Sequence, residues 1–242
     1  MRKSVISIIV PTYNSEGFLE KNIKIIISTA KKLKTPFEII IAEDGCSDRT
    51  PKIAEKLSKK YSCVFHQHYK EKLGRGRALK KAFMRAKGNI IVYMDDDLAT
   101  DLVHLPELMH PVLDDGFDVV TGSRLMVGSK VIGRPAKREI ASRAFNFFVR
   151  LLLHSRLYDH QCGFKAFKKN TVKPILPAVK DSHWFFDTEI LVRAQRRNLR
   201  VKEIPVIWQD DLRESTVHFL KDAKNMGMKI FRLWFEFSFS HK

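Results

Sequence analysis

Three carboxylates, Asp95-Asp96-Asp97, close the apolar run Ile90-Ile91-Val92-Tyr93-Met94. That run follows the turn-forming Lys87-Gly88-Asn89 and reads as a buried strand. Side chains alternate along a strand, so Asp95 and Asp97 share one side. Neighbouring carboxylates repel unless a cation or a cluster of donors neutralises them. Their oxygens suit a hard cation such as Mg2+ or Mn2+, and Mg2+ joins a few carboxylates to substrate phosphates. Taken alone, the run also suits a solvated acidic turn, where Asp is common. Two further strand ends carry polar residues: Pro11-Thr12-Tyr13-Asn14, and Glu43-Asp44-Gly45-Cys46-Ser47-Asp48-Arg49-Thr50.

Gly74-Arg75-Gly76 opens a helix between Arg75 and Arg77. A helix N-terminus beside arginines can hold a phosphate, and a tight turn with solvated arginines fits the same residues. The missing third glycine makes it a poor dinucleotide fingerprint. Asp187 and Glu189 follow Trp184-Phe185-Phe186, where a helix N-cap region also fits. His66, His68, His104 and His110 show no ligand spacing and read as surface or core histidines.

The elements that position these residues alternate. Val5–Val10, Phe37–Ala42, Cys63–Phe65 and Ile90–Met94 read as strands. Helices start near Ser15 and Glu16, at Pro51 and at Gly74. This β-α series predicts an α/β domain with a doubly wound, mainly parallel sheet. Ligands of such sheets bind beyond the carboxyl ends of the strands, where Tyr13, Asp44 and Asp95 fall. Further on, Val119–Arg124 is a strand running into an arginine, and Met126–Lys137 reads as a mobile basic loop. Arg138, Ser142, Asn146, Arg150 and His154 recur every fourth residue, a polar stripe on a helix rich in Phe, Leu and Ile. Such a helix suits a membrane interface, or a core helix with one solvated edge. The aromatic tail Met226–Phe239 is broken by Arg232 and Glu236, so it is expected to lie on a bilayer or a partner rather than span.

The chain has 242 residues, 44% of them hydrophobic, enough for one large domain with a real core. A formal net charge of +17 implies an anionic partner. Nucleic acid fits poorly, because clustered strand-end carboxylates repel a phosphate backbone without metal. Three cysteines make neither a disulfide framework nor a metal spacing, which suits a reducing compartment. Met1-Arg2-Lys3-Ser4 leads into a strand without a long apolar region or cleavage site, so no signal peptide is expected.

In this order, Pro11-Thr12-Tyr13-Asn14, Glu43-Asp44-Gly45-x-Ser47-Asp48-x-Thr50, Gly74-x-Gly76 and Met94-Asp95-Asp96-Asp97 resemble the family 2 glycosyltransferases of GT-A fold. Gly122-Ser123-Arg124, Gln161-Cys162-Gly163-Phe164-Lys165 and Trp184-Phe185-Phe186-Asp187-x-Glu189 resemble the branch that glycosylates dolichyl or another polyprenyl phosphate. The resemblance runs from about Ser4 to Ser215. It implies a GT-A domain over 1–225, with an acceptor loop and interfacial helix at 126–158, and an amphipathic tail at 226–242. It implies a nucleotide-sugar site at Pro11, Tyr13, Glu16, Asp44, Gly74, Arg77, Asp95 and Asp96. Mg2+ or Mn2+ would sit on Asp95 and Asp97, with Asp187 and Glu189 as further catalytic residues. Arg124, Arg138, Ser142 and Arg213 would bind the acceptor phosphate. The expected reaction is inverting transfer of a hexose or N-acetylhexosamine at the cytoplasmic face of a membrane. Asp97-Leu98-Ala99-Thr100 and Cys162 tilt the donor toward UDP-sugars. A GDP-mannose donor, or a glycan acceptor, is the rival. A nucleotidyltransferase is disfavoured, because Pro11–Asn14 is no Gly-rich basic loop.

Overall fold

The structure is a computed structural model and describes residues 5–210 and 219–239. In its first half, β1 (Ile6–Thr12), α1 (Leu19–Lys32), β2 (Phe37–Glu43), α2 (Thr50–Lys60), β3 (Val64–Gln67), α3 (Arg75–Arg85) and β4 (Ile90–Met94) alternate. Then come α4 (Leu105–Leu113), β5 (Val119–Ser123), β6 (Lys130–Ile132), α5 (Ala136–Leu153), β7 (Phe164–Lys168) and the short α6 (Lys169–Val172). The remaining elements are α7 (Phe186–Arg196), β8 (Val201–Pro205), β9 (Ile207–Gln209) and α8 (Phe219–Phe239).

Seven strands form one sheet in the order β3-β2-β1-β4-β7-β5-β8. β7 runs antiparallel to β4 and β5, and the other pairings are parallel. The sheet is therefore mainly parallel, as the sequence predicts. Both faces are buried, which explains the continuous apolar runs. Alternation sorts them into two layers. Ile8, Val10, Ile39, Ile41 and Val92 pack with α1, α2 and α4. Ile9, Ile40, Ile91 and Tyr93 pack with α3 and α7. Each such buried side chain contributes about 1.5–3 kcal/mol over its exposed state. A third cluster joins α5, α7 and α8 through Val149, Leu153, Phe185, Val192, Ile230 and Leu233.

Three expectations change. The segment 126–137 is not only loop, because β6 within it pairs in parallel with β9. The expected boundary at 225/226 falls inside α8. The polar stripe of α5 turns inward at its middle: Ser142 and Asn146 are buried, Arg150 and His154 are exposed, and Ile140, Phe147, Phe148 and Leu151 are exposed as well. The exposed apolar residues do not fit a core helix, and within the stripe only Arg150 and His154 form a solvated polar edge. Asn146 explains the inward turn. Its side chain donates to the Ser142 carbonyl and accepts from the His160 backbone and ring, satisfying a buried polar group.

Candidate active site

Asp95 sits just past β4 and is held from two sides. Its backbone N–H donates to the Gly163 carbonyl at 3.0 Å. Its carboxylate pairs with the Arg75 guanidinium at the start of α3. Arg75 also donates to the Tyr93 hydroxyl at 3.2 Å and lies 5.2 Å from the centre of the Trp184 ring. Burial works against the Arg75 charge, but Asp95, Tyr93 and Asp187 outweigh it and hold its pKa well above the ordinary value. Gly74 explains how Arg75 gets so close. Its φ of +94° suits glycine, and a Cβ there would strike the Ser182 carbonyl and the His183 ring.

Asp96 points the other way. It accepts a 2.5 Å hydrogen bond from the Ser15 hydroxyl, and its carbonyl accepts from Asn22. Burial, then the charges of Asp97 and Asp95, push its carboxyl up to about 7 despite Ser15. Asp97 accepts the Ala99 N–H at 3.0 Å, which shapes the turn leaving the site. Its neighbour Leu98 adopts a left-handed φ of +55°.

A buried polar chain leads from Arg75 into the domain. The Tyr93 hydroxyl donates to Asp187 at 2.6 Å, and Lys165 pairs with the same Asp187 oxygen at 3.1 Å. Lys165 is fully buried and also donates to the Cys162 carbonyl. Glu189 is fully buried as well. Its oxygens accept from Arg193 and from the backbone N–H groups of Lys180 and Asp181. It therefore anchors the turn whose Ser182 carbonyl receives the Gly76 N–H.

Asp44 accepts from the backbone N–H groups of Leu73 and Gly74, so it ties β2 to the α3 entrance. Tyr13 is 37% exposed with the Lys72 ammonium 3.6 Å from its ring centre. Pro11 is buried in β1, and Glu16 pairs with Arg49 at 3.1 Å. Arg77 is not brought to the aspartates. It is exposed and lines a groove with His68, Lys80 and Asp181. Arg75, not Arg77, is the arginine at Asp95.

Three arginines gather beyond β5. Arg124 forms a two-pronged pair with Asp159 at 2.7 and 3.0 Å. Arg134 and Arg124 flank Trp208, each within 6 Å of its ring centre by 5.8 and 5.6 Å. Arg138 pairs with Asp210 at 2.5 Å. Burial, with Arg124 and Arg138 adding repulsion, lowers the Arg134 pKa. The acidic end adjoins this cluster, because the loop after it bridges at Thr100 to Trp208 and Asp95 bonds Gly163, which follows the Asp159 segment that holds Arg124. The buried Ser142 hydroxyl has no hydrogen-bond partner among the described residues. Arg213 lies outside the described residues, as do Met1–Ser4 and Ser215.

Sequence reasoning missed Arg134, Trp208 and Lys165, and it treated His66 and His68 as isolated. Both rings meet the Glu43 carboxylate, at 3.0 and 2.6 Å. The signal was present: His66 lies in β3 and His68 one residue past its end, so a continued alternation puts both on one side.

The mainly parallel sheet with an acidic cluster at a central strand end has the GT-A fold. The profile described as Glycosyl transferase family 2 matches residues 7–176, and the chain belongs to that family. It is 44% identical over 233 residues to Glycosyltransferase AglD of Haloferax volcanii, covering 96% of this chain and 37% of that protein. It is 33% identical over 217 residues to Dolichyl-phosphate beta-glucosyltransferase of Dictyostelium discoideum, covering 85% of this chain and 66% of that protein. The chain thus spans less than two thirds of either relative's length. Its fold matches glucosyl-3-phosphoglycerate synthase of Mycobacterium tuberculosis with a TM-score of 0.65 at 15% identity, covering 96% of this chain and 79% of that one. The same enzyme in complex with Mn2+ and UDP-glucose matches with a TM-score of 0.61 at 16% identity, covering 94% and 77%.

Proposed function

We propose that this chain transfers a hexose, most readily glucose, from a UDP-sugar to dolichyl or another polyprenyl phosphate at the cytoplasmic face of a membrane. The observation that carries the reading is that the loop leaving the Asp95–Asp97 strand end bridges at Thr100 to Trp208, against whose ring Arg124 and Arg134 lie. One end suits a metal-bound diphosphate, and the other suits a second phosphate. The Dictyostelium relative supports the acceptor class, and the UDP-glucose complex of the fold neighbour supports the donor class. No helix among the described residues is long and apolar enough to cross a membrane. The exposed apolar faces of α5 and α8 fit interfacial binding instead.

Asp95 and Asp97 fit Mg2+ or Mn2+ because they offer only carboxylate oxygens, and Gly163 and Arg75 brace the first of them. When bound there, the ion supplies Lewis-acid stabilisation of the leaving nucleoside diphosphate. The chain's own residues do the rest. Tyr13 and Asp44 border the nucleoside end, and Arg75 adds a fixed positive charge beside the diphosphate. Arg124, Arg134, Arg138 and Ser142 orient the acceptor phosphate. A phosphate oxygen is already ionised, so it attacks the anomeric carbon without a general base, from the face opposite the leaving group, which inverts the anomer. Asp187, tied to Tyr93 and Lys165, positions these groups rather than removing a proton.

The test is purified protein with a panel of UDP- and GDP-sugars and a short polyprenyl phosphate. Transfer from UDP-glucose to the lipid is expected. Transfer from GDP-mannose alone would replace the donor, and transfer only to a free glycan would overturn the acceptor.

A further inference from the structure

We propose that Glu43, His66 and His68 form a second cation site, of the zinc type, separate from the Asp95–Asp97 site. All three ligand atoms lie within 4.8 Å of one another. His66 Nε2 and His68 Nδ1 stand 3.0 and 2.6 Å from one Glu43 oxygen, Oε2. The other oxygen accepts the Cys46 N–H at 3.0 Å, which fixes the carboxylate's direction. Such support beyond the ligands is what orients a metal site.

Charge points the same way. Glu43 is fully buried, and among the described residues its ion-pair partners are these two histidines. A buried carboxylate without a lysine or arginine gains most from a cation.

Ligand type selects the metal. Two imidazoles and one carboxylate suit Zn2+ and its late transition-metal neighbours, whereas Mg2+ and Mn2+ prefer oxygen alone. Tetrahedral zinc at its usual bond lengths separates ligand atoms by about 3.3 Å. The two Glu43–histidine separations, 3.0 and 2.6 Å, need to open by less than an ångström. His68 can make that shift, since its side chain is 49% exposed, and its exposure leaves the fourth position to water. The bound ion would join the ends of β2 and β3 one residue before Asp44, which holds the Leu73 and Gly74 amides. It would brace the nucleoside side of the cleft by structure, apart from the Asp95–Asp97 chemistry.

The test uses tag-free, chelator-stripped protein titrated with Zn2+ and, separately, Co2+. One zinc per chain should survive desalting, the melting temperature should rise with zinc, and Co2+ should give the strong visible bands of four-coordination. Replacing His66 and His68 together (His66→Gln, His68→Gln) should weaken zinc binding by about tenfold or more and remove the melting shift. His68→Gln alone, at a half-exposed position, provides the same comparison if the double variant does not fold. Asp97→Asn and Cys46→Ser should leave zinc binding unchanged. Zinc bound equally by the parent and His68→Gln, zinc lost in Asp97→Asn, or no retained zinc would each overturn the proposal.

Discussion

The carboxylate of Asp95 occupies the space where a side chain on residue 163 would begin, and Asp95 also donates its N–H to the Gly163 carbonyl at 3.0 Å. Gly163 therefore sets where the Asp95 carboxylate stands. In Gly163→Ala the new methyl overlaps that carboxylate, which must swing away. A misplacement of about 1 Å at a reacting centre costs about a hundredfold in rate. The expected result is that loss in kcat with a circular dichroism spectrum like the parent's. A fully active Gly163→Ala would show that Asp95 does not need this position.

Asp97→Asn should abolish transfer with little effect on stability, and excess chelator should do the same to the parent. Asp95→Asn should also abolish transfer but lower stability by about 1–2 kcal/mol, because Arg75 loses its counter-charge. That figure is below the fully buried case because Asp95 is 34% exposed. Urea unfolding of both variants separates the two effects. Undiminished transfer in excess chelator would remove the metal from the mechanism.

The strand ends were legible because their signals are local. An apolar run that stops at Asp95-Asp96-Asp97 carries both its strand and its chemistry in adjacent letters. The inward turn of α5 was not, because periodicity gives the faces of a helix but not which one meets the protein. Asn146 faces inward because His160, on a different segment, supplies its partners. Arg134 and Trp208 were hidden for the same reason. They meet through the pairing of β6 with β9, two three-residue strands far apart in the chain. Arg75 was visible in Gly74-Arg75-Gly76, but choosing between it and Arg77 needed the direction of α3.

Arg138→Ala should weaken the binding of polyprenyl phosphate more than that of sugar nucleotide. Losing a charge-assisted contact costs about 1.5–3 kcal/mol, or roughly ten- to a hundredfold in affinity. Arg138 now pairs with Asp210, so the acceptor phosphate must compete with that carboxylate. Arg138→Lys keeps the charge but loses the fork and should fall between. Equal losses for donor and acceptor would take Arg138 out of the acceptor site.

His160 gives the fold an acid limit. It is buried between Ser155, 2.7 Å from Nε2, and Asn146, 2.7 Å from Nδ1. Burial, with Lys165 and Arg150 and against Asp159, pushes its pKa from 6.5 down to about 3. The unfolded chain therefore binds a proton between those values that the folded chain does not. Stability from the neutral ring is complete above pH 6.5 and is lost as the pH falls toward 3. Between pH 7 and pH 5 the loss is about 2 kcal/mol. Urea unfolding at the two values should show it in the parent and less of it in His160→Gln. An equal pH dependence in both would assign the acid limit elsewhere.

Membrane association should depend on two helix faces rather than on a spanning segment. On α5, Ile140, Phe147, Phe148 and Leu151 are exposed, and on α8, Met228, Phe231, Phe235 and Phe239 are exposed. The helices pack together through the cluster of Val149, Leu153, Ile230 and Leu233. Lys137, Arg143 and Arg150 border the α5 face. Each basic residue at an anionic surface contributes about 1 kcal/mol within a Debye length, a contribution that salt screens. Aromatic insertion is not screened. Cutting the chain before Phe231 would remove Leu233 from the core as well, so substitution is the cleaner probe. Liposome flotation at low and high salt should show the parent bound to anionic vesicles in both, more weakly in the second. With Phe147, Phe148, Phe231 and Phe235 changed to serine, binding should persist at low salt and vanish at high salt. A parent chain that stays in the soluble fraction with anionic vesicles at low salt would reassign both faces to a protein partner.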